Sequence, residues 1–586
     1  MRQGNFEHSI SSAQTQVVEG RENILAYSSS LGRVNLIGYC LAARHDFELM
    51  AQAVLDDRQL STVPIQSLPG SYSIVAERDD ECVVNTDPAG QFAVFWRNKD
   101  DGLCLATDAR HLATTGEPNA QYLASSILRC PELTHGQTAF TDVNRVEPGQ
   151  TIHFRNGQVA AKIEATTSPD SSLTFEEAAA NLRQALMEAV ELRLSLGRVV
   201  TSDCSGGFDS TTLALLGAER SLMGMDVFIQ YRQGTGFGDL PFARAVAEET
   251  PGLRLHEIYE DIEALPFQLL DDAVLGDEPG GAIFYGNYRQ RLNVAKTYGS
   301  ELHLLGEGGD AVLDWPPEVF SDLAEARRTD DLRQLCLSYA RSRALNPADL
   351  FAAALDSTHW TLVDDLRSLA TFLRTPDADD NLPPIFTWIN RPSRAATFLA
   401  TSMRHLLGDA AERQAEELYI PEDMRRGDYA SLKEVQSAGF SHHQTRLIAQ
   451  SLGVEAHAPY MDRNAIAACL QLPARKRAIP QDHKPVLRRA FRDIMPSVLY
   501  SRTSAGTYSS AMYKGFRIAL PKINELFGDD SRLAALGVID LPTIRQQIER
   551  VDMGLSVASA SFDRVIEAEI WLRRLDESTR THKQAK

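Results

Sequence analysis

Val199-Val200-Thr201-Ser202-Asp203-Cys204-Ser205-Gly206-Gly207-Phe208-Asp209-Ser210-Thr211-Thr212 decides the fold. The β-branched start reads as a strand, the glycine pair as a tight loop, and the run through Leu213, Leu215 and Leu216 as a helix. A helix N-terminus presents unpaired N–H groups and partial positive charge, so this loop is suited to an anion. Gly206 and Gly207 let the backbone approach a phosphate, and Ser205 and Ser210 add hydroxyl donors. Asp209 would repel the same phosphate, so its presence calls for a hard cation such as Mg²⁺ between them. A glycine pair alone would mark only a turn capped by Asp209. The full Ser-Gly-Gly-x-Asp-Ser string between strand and helix is far more specific.

Downstream, strand and helix alternate. Asp226–Tyr231 reads as a strand and Leu240–Glu249 as a helix. Leu253–Ile258 is a second strand, helices follow from Ala264 and from Tyr285, and Glu301–Leu305 is a further strand. This alternation predicts a doubly wound parallel sheet, with ligands in the crevice at the strands' carboxyl ends. Gly306-Glu307-Gly308-Gly309-Asp310 directly follows a strand. Two glycine loops at strand ends, each closing on an aspartate, can converge on one triphosphate, with Asp209 and Asp310 giving two oxygens to Mg²⁺. Asp277-Glu278-Pro279 precedes a helix and reads as a capping pair, with part of the substrate pocket as the alternative.

The 586 residues predict more than one domain. A net charge of −20 argues against non-specific binding of DNA or RNA. The seven cysteines form no CxxC pair, so neither a zinc site nor a disulfide framework is indicated, and a reducing cytoplasm fits. The N-terminus, Met1-Arg2-Gln3-Gly4-Asn5, lacks a signal peptide's apolar core, and no apolar run is long enough to span a bilayer.

Residues before about 160 read as strands and turns. Leu68–Ala76, Cys82–Thr86, Phe92–Trp96 and Leu103–Asp108 are the strand candidates, and Asp87-Pro88-Ala89-Gly90 is a turn. Ala165–Ser172 is a polar linker. A helix starts at Thr174 with Glu177 completing a capping box; its apolar face is Phe175, Ala178, Leu182, Leu186 and Val190, and Gly197 ends it. From Trp315 to about Ile420 the pattern is mostly helical, with Phe320, Trp360, Phe372 and Trp388 as core. His442 and His443 are adjacent on a helix and point to different faces, so a metal pair is not expected.

The first loop resembles the pyrophosphate loop of the N-type ATP pyrophosphatases, and Gly306–Asp310 resembles the matching loop of asparagine synthetases and β-lactam synthetase. Gly70-Ser71-Tyr72, the Asp87–Gly90 turn and Ala106-Thr107-Asp108 resemble the amidotransferase-like half of asparagine synthetases. Ala458-Pro459-Tyr460-Met461-Asp462-Arg463 is similar to their Pro-Phe-Leu-Asp turn, and Lys484 with Leu487-Arg488-Arg489-Ala490 to their Lys-x-x-Leu-Arg-x-Ala helix. The resemblance implies an α/β protein of two parts. Residues 1–164 would be an amidotransferase-like antiparallel β-sandwich. Residues 173–586 would be a doubly wound ATP-pyrophosphatase domain with a helical extension. It also implies Gly306 against the adenine, Glu307 near the acceptor amine, Lys484 among the nucleotide contacts, and AMP transfer to a carboxylate from ATP with Mg²⁺.

Glutamine-hydrolysing members carry a catalytic Cys after Met removal, supplying thiol nucleophile and amine base together. Here Arg2 stands there, and the first cysteine, Cys40, lies in an apolar run. The amino-terminal half is therefore read as a retained structural or docking domain. Ser501-Arg502-Thr503-Ser504-Ala505-Gly506-Thr507-Tyr508 resembles a stretch of lasso-peptide cyclases, as does the spacing from Leu68-x-Gly70-Ser71-Tyr72 to Gly90-Gln91-Phe92. Such a cyclase adenylates an Asp or Glu side chain of a leaderless precursor peptide and joins it to the peptide's N-terminal amine. A leader peptidase and a leader-recognition protein are the implied partners. The alternatives are another amide or β-lactam synthetase and a nucleotide-binding partner without catalysis. The superfamily's lysine in this stretch steadies the charge on the acyl-adenylate; Ala505 stands at its place. Either the chain is an inactivated variant, or Arg502 or Lys514 has taken the role.

Overall fold

The computed structural model describes residues 15–18, 23–99, 102–163, 169–232, 238–375, 386–390, 394–418, 420–421, 423–502, 509–555 and 557–585. Arg2 and Ala505 lie outside them.

Five parallel strands form the nucleotide-side sheet, in the order Leu253–Tyr259, Met225–Tyr231, Val200–Asp203, Leu302–Leu304, Glu455–His457. From Val200–Asp203 the chain winds outward through two strands on one side, then returns to place Leu302–Leu304 on the other. The order therefore reverses between Val200–Asp203 and Leu302–Leu304, and ligands bind at such a reversal. Both glycine loops leave these two neighbouring strands. The capping box forms as read: Glu177 N donates to Thr174 Oγ1 at 3.2 Å and Thr174 N to Glu177 Oε2 at 2.9 Å. The helix Phe175–Leu194 buries Ala178, Leu182, Leu186 and Val190 against the sheet, while Phe175 is only half-buried.

The amino-terminal half holds two packed sheets. One is antiparallel throughout, in the order Gln158–Ile163, Thr151–Arg155, Glu81–Asn85, Gly70–Arg78, Arg33–Cys40, Ile24–Ser28. The other is Thr15–Val18, Gly102–Ala106, Val94–Lys99, Asn144–Val146, and its first pair is parallel. Ile37, Val75, Val84, Leu105, Ile152 and Phe154 fill the space between the sheets. Helices, which the reading of strands and turns did not include, cover both outer faces. Arg44–Asp56 buries Phe47, Ala51, Val54 and Leu55 on one, and Ala120–Leu128 buries Leu123 and Ile127 on the other. Burial pushes the Cys40 thiol up, against the pull of a backbone hydrogen bond at Ala42, which disfavours the thiolate that a nucleophile needs.

No helix starts at Ala264. Phe267 and Leu269 take φ of 65° and 57°, the left-handed region that ends a helix. Phe267 packs edge-on against Phe516 at 5.6 Å, so tertiary contact overrides local propensity.

The halves share polar and apolar contacts. Ser71 Oγ donates to Asp462 Oδ1 at 2.7 Å, and Gln91 Nε2 donates to Met461 O at 3.1 Å. Arg463 donates to Tyr72 O at 2.9 Å and Thr86 O at 3.0 Å. A Cβ on Gly439, in the helix Arg426–Ser451, would collide with Ala89 O of the Asp87–Gly90 turn, so glycine lets that turn seat on the helix. Asp277 and Glu278 are not a cap. They are 3% and 2% exposed; Asp277 meets His443 Nε2 at 3.1 Å, and Glu278 accepts from Arg145 at 2.9 Å.

Arg193, 1% exposed, binds both oxygens of Asp462 at 2.7 Å. Removing one partner of such a pair strands a buried charge. Arg193→Met is expected to lower stability by about 3–5 kcal/mol, read as a lower urea midpoint. Arg193→Met with Asp462→Leu should recover most of the loss, because no charge is then left unpaired.

Candidate active site

The loop after Val200–Asp203 is shaped by its own side chains. Ser205 N donates to Ser210 Oγ at 3.0 Å, the two serine hydroxyls lie 2.9 Å apart, and Gly207 N donates to Ser205 Oγ at 3.3 Å. Gly206 has φ of 71°, and a Cβ there would lie 2.7 Å from Ala243 N, so both conformation and space require glycine. Gly207 caps the helix Phe208–Arg220, whose first turn carries Asp209 and Ser210.

The second loop packs against the first. A Cβ on Gly306 would lie 2.8 Å from Ser210 N, and one on Gly309 would collide with the Asp209 carboxyl. Gly308 takes φ of 82° at the start of the short helix Gly309–Leu313, which carries Asp310. Across the cleft Lys484, 4% exposed, bridges the two loops: its ammonium pairs with Asp209 Oδ2 and lies 2.5 Å from Asp310 Oδ1. Tyr460, from the Ala458–Arg463 turn, donates to Asp209 O at 3.1 Å. The structure thus brings Ser205, Gly206, Gly207, Asp209, Ser210, Gly306, Asp310 and Lys484 to one place.

The charges are uneven. Burial raises the Asp209 carboxyl to about 6, opposed by Lys484 and reinforced by Asp310. Crowding in the cleft also lifts Asp310, but the Lys484 charge outweighs it and holds the carboxyl below its ordinary value; its side chain is 83% exposed. Asp209 Oδ1 is buried with no hydrogen-bond partner. The orphaned Asp209 oxygen and the open Asp310 carboxylate, bridged by the Lys484 ammonium, are oxygen donors of the kind that suit Mg²⁺. Asp314, which the sequence did not single out, adds a third carboxylate. Asp310, Asp314 and His483 offer donor atoms within 4.8 Å of one another.

Glu307 points elsewhere. Tyr288 Oη donates to its Oε1 at 2.5 Å, Thr445 Oγ1 donates to the same oxygen at 3.2 Å, and His442 Nδ1 lies 2.6 Å from Oε2. Burial pushes the Glu307 carboxyl up, but the hydrogen bond and charge of His442 and the Tyr288 bond outweigh it, leaving it below its ordinary value. His442 Nε2 is buried and unpartnered. The two adjacent histidines do face apart, His442 to Glu307 and His443 to Asp277. The sequence reading assigns Tyr288 and Thr445 no role and weighs His442 only as half of a metal pair; the adjacent histidines are the available signal.

Arg502 donates to Gly206 O at 2.5 Å and pairs with Asp239, so it grips the outside of the first loop. Lys514 is exposed on the helix Ser509–Leu526. Among the described residues, no helix is long and apolar enough to cross a membrane.

No curated protein matches the chain in sequence. Two solved structures show 12% identity and TM-scores of 0.16. The allosteric regulatory enzyme of purine biosynthesis is matched over 40% of this chain and 62% of that one. Glutamine phosphoribosylpyrophosphate amidotransferase from B. subtilis, complexed with ADP and GMP, is matched over 41% and 65%. The chain therefore spans less than two thirds of either, and these likenesses carry no argument about activity. The asparagine synthase family model matches residues 181–573. That span contains both glycine loops, Lys484 and the Glu307 cluster, and on it the chain belongs to the asparagine synthase family, whose members are ATP-dependent carbon–nitrogen ligases.

Proposed function

We propose that this chain is a peptide macrolactam synthetase of the lasso type. It would use ATP to adenylate an Asp or Glu side chain of a leaderless precursor peptide, then join that carbonyl to the peptide's N-terminal amine. The observation that carries the ligase chemistry is the Lys484 ammonium, which ties Asp209 to Asp310 across two loops at the point where the sheet reverses. The choice of peptide rests on the resemblance of Ser501–Tyr508 and of the amino-terminal spacing.

In this reading the serine hydroxyls and loop amides of Ser205–Ser210 hold the β and γ phosphates. Asp209 and Asp310 would hold Mg²⁺, which neutralises phosphate charge when bound. The peptide carboxylate oxygen attacks the α-phosphorus, and pyrophosphate leaves. The amine then attacks the acyl carbon, and AMP leaves with the carboxyl oxygen. Glu307, kept ionised by its neighbours, draws the peptide's ammonium to the acyl-adenylate and takes its proton. The hydrogen bond to His442 Nδ1 lets the pair share that proton. The substrate's tail must already be threaded, so positioning and exclusion of water are the rest of the protein's task. A leader peptidase and a leader-recognition protein would deliver the substrate.

The test is incubation with MgATP and leaderless peptides, read by mass spectrometry and by pyrophosphate release. A product one water lighter is expected. Glu307→Gln should slow amide formation by roughly 10²–10⁴-fold while pyrophosphate release continues, because adenylation does not use Glu307. Loss of both signals together would remove Glu307 from the amine step. Ala505 favours a second reading, a nucleotide-binding protein without turnover; absence of pyrophosphate release with every carboxylate substrate would select it.

A further inference from the structure

The Ala458–Arg463 turn meets both glycine loops on one side and the amino-terminal half on the other. Its residues Tyr460 and Met461 are fully buried. Tyr460 Oη donates to Asp209 O at 3.1 Å, in the helix that opens from the first loop. Burial pushes the Tyr460 phenol well above its ordinary value, so it keeps its proton and stays a donor. The Met461 side chain lies over the second loop: a Cβ on Gly308 would come within 2.4 Å of Met461 Cγ. Just ahead of the turn, His457 O accepts from Leu305 N at 2.8 Å, one residue before Gly306. One short segment therefore touches the loop that carries Asp209 and the loop that carries Asp310.

The amino-terminal half holds that segment from behind. The Ser71 hydroxyl lies 2.7 Å from Asp462 Oδ1 and 3.2 Å from Met461 O, and Gln91 Nε2 donates to Met461 O at 3.1 Å. Ser71 and Gln91 are each 2% exposed. The Tyr39 ring stacks on His457 with centroids 3.7 Å apart, and Arg463 ties the far end of the turn to Tyr72 O and Thr86 O. In an interior packed this closely, a shift of one side chain displaces its neighbours. A misplacement of about 1 Å at a reacting group can cost roughly 10²-fold in rate. Two carboxylates share one cation only at a narrow range of separations, so whatever spaces the loops matters to MgATP.

We propose that the amino-terminal half is a positioning support for the nucleotide site. Ser71 and Gln91 fix the turn, and Tyr460 and Met461 on the turn hold the two loops at the spacing that MgATP requires. The half then has a part in the ligase reaction without a nucleophile of its own. This rests on the reading that the two loops bind MgATP, and the test separates the two. The full-length chain is titrated with Mg²⁺ and an ATP analogue that has a methylene group between the α and β phosphates, and the dissociation constant is read by calorimetry. Tyr460→Phe keeps the ring and loses one donor, so it should weaken binding about tenfold. Ser71→Ala, a change in the other half, should weaken it about fivefold. Because both act through one turn, the double variant should fall well short of the roughly fiftyfold loss to which independent effects would multiply. Arg110→Ala is the control. It removes a different contact between the halves, from Arg110 to Leu275 O at 2.9 Å, which does not touch the turn, and it should bind the analogue as the wild type does. Thermal melting without nucleotide reports that each variant folds. Wild-type affinity in Ser71→Ala, a full fiftyfold loss in the double variant, or an equal loss in Arg110→Ala overturns the inference and leaves the nucleotide reading in place. A wild type that binds no analogue overturns the nucleotide reading and this inference with it.

Discussion

Asp209→Asn will reduce MgATP-dependent pyrophosphate release by roughly 10²–10³-fold, the scale of losing one fixed electrostatic contact to a reacting phosphate. Asparagine keeps the shape of the side chain, so the fit against Gly309 survives and Lys484 retains Asp310. What is lost is the charge beside the orphaned oxygen. Burial lifts the Asp209 carboxyl to about 6, so the wild type should lose activity as pH falls through that value. Added Mg²⁺ should move this acidic limb lower, because the metal binds only the ionised form. Stability has the opposite sign. Between the ordinary value of 3.8 and about 6 the folded chain holds a proton that the unfolded chain has released. Stability from this group is therefore full below about 4 and is lost as pH rises through about 6. Without metal at neutral pH, Asp209→Asn should melt no lower than the wild type. Mg²⁺ with a non-hydrolysable ATP analogue should raise the melting temperature of the wild type and not of the variant. An equal rise in both would take Asp209 out of the metal site.

The same residues explain which parts of the molecule could be read from sequence. The first loop is local: a β-branched run, two glycines and a helical pattern lie within fourteen residues, each with its own physical signature. The sheet's parallel order follows from strand–helix alternation, and Thr174–Glu177 from a cap that needs only three residues of context. The Glu307 cluster is different. Its partners Tyr288 and His442 stand 19 and 135 positions away, and no periodicity announces a pairing made by the fold alone. Asp277 and Glu278 looked like a cap because their partners, His443 and Arg145, lie 166 and 133 positions off. The helices over the amino-terminal sheets went unread because strand signals dominate that half. The segment from Ala264 failed as a helix because Phe267 is drawn into contact with Phe516, which no local pattern contains.

Ala505→Lys is expected to raise the rate of amide formation by roughly 10²–10³-fold, about 3–4 kcal/mol of barrier. Ala505 lies outside the described residues, and the expectation rests on the resemblance of Ser501–Tyr508, which puts the superfamily's lysine at that position. The cations already present have other duties. Lys484 is bound to Asp209 and Asp310 on the loops' inner side, and Arg502 is committed to Gly206 O and Asp239. Neither is placed as a free positive charge over the acyl carbon, where the tetrahedral intermediate gathers negative charge. A lysine introduced at 505 supplies it and should act on the amide step more than on adenylation. Amide product per pyrophosphate released should then increase, because fewer adenylates are lost to water. A rate unchanged by the substitution would show that the missing lysine belongs at another position or that Arg502 serves in its place. Arg502→Ala in the same assay separates these: it abolishes turnover if Arg502 is the working cation, and otherwise loosens only the loop, raising the apparent KM for ATP.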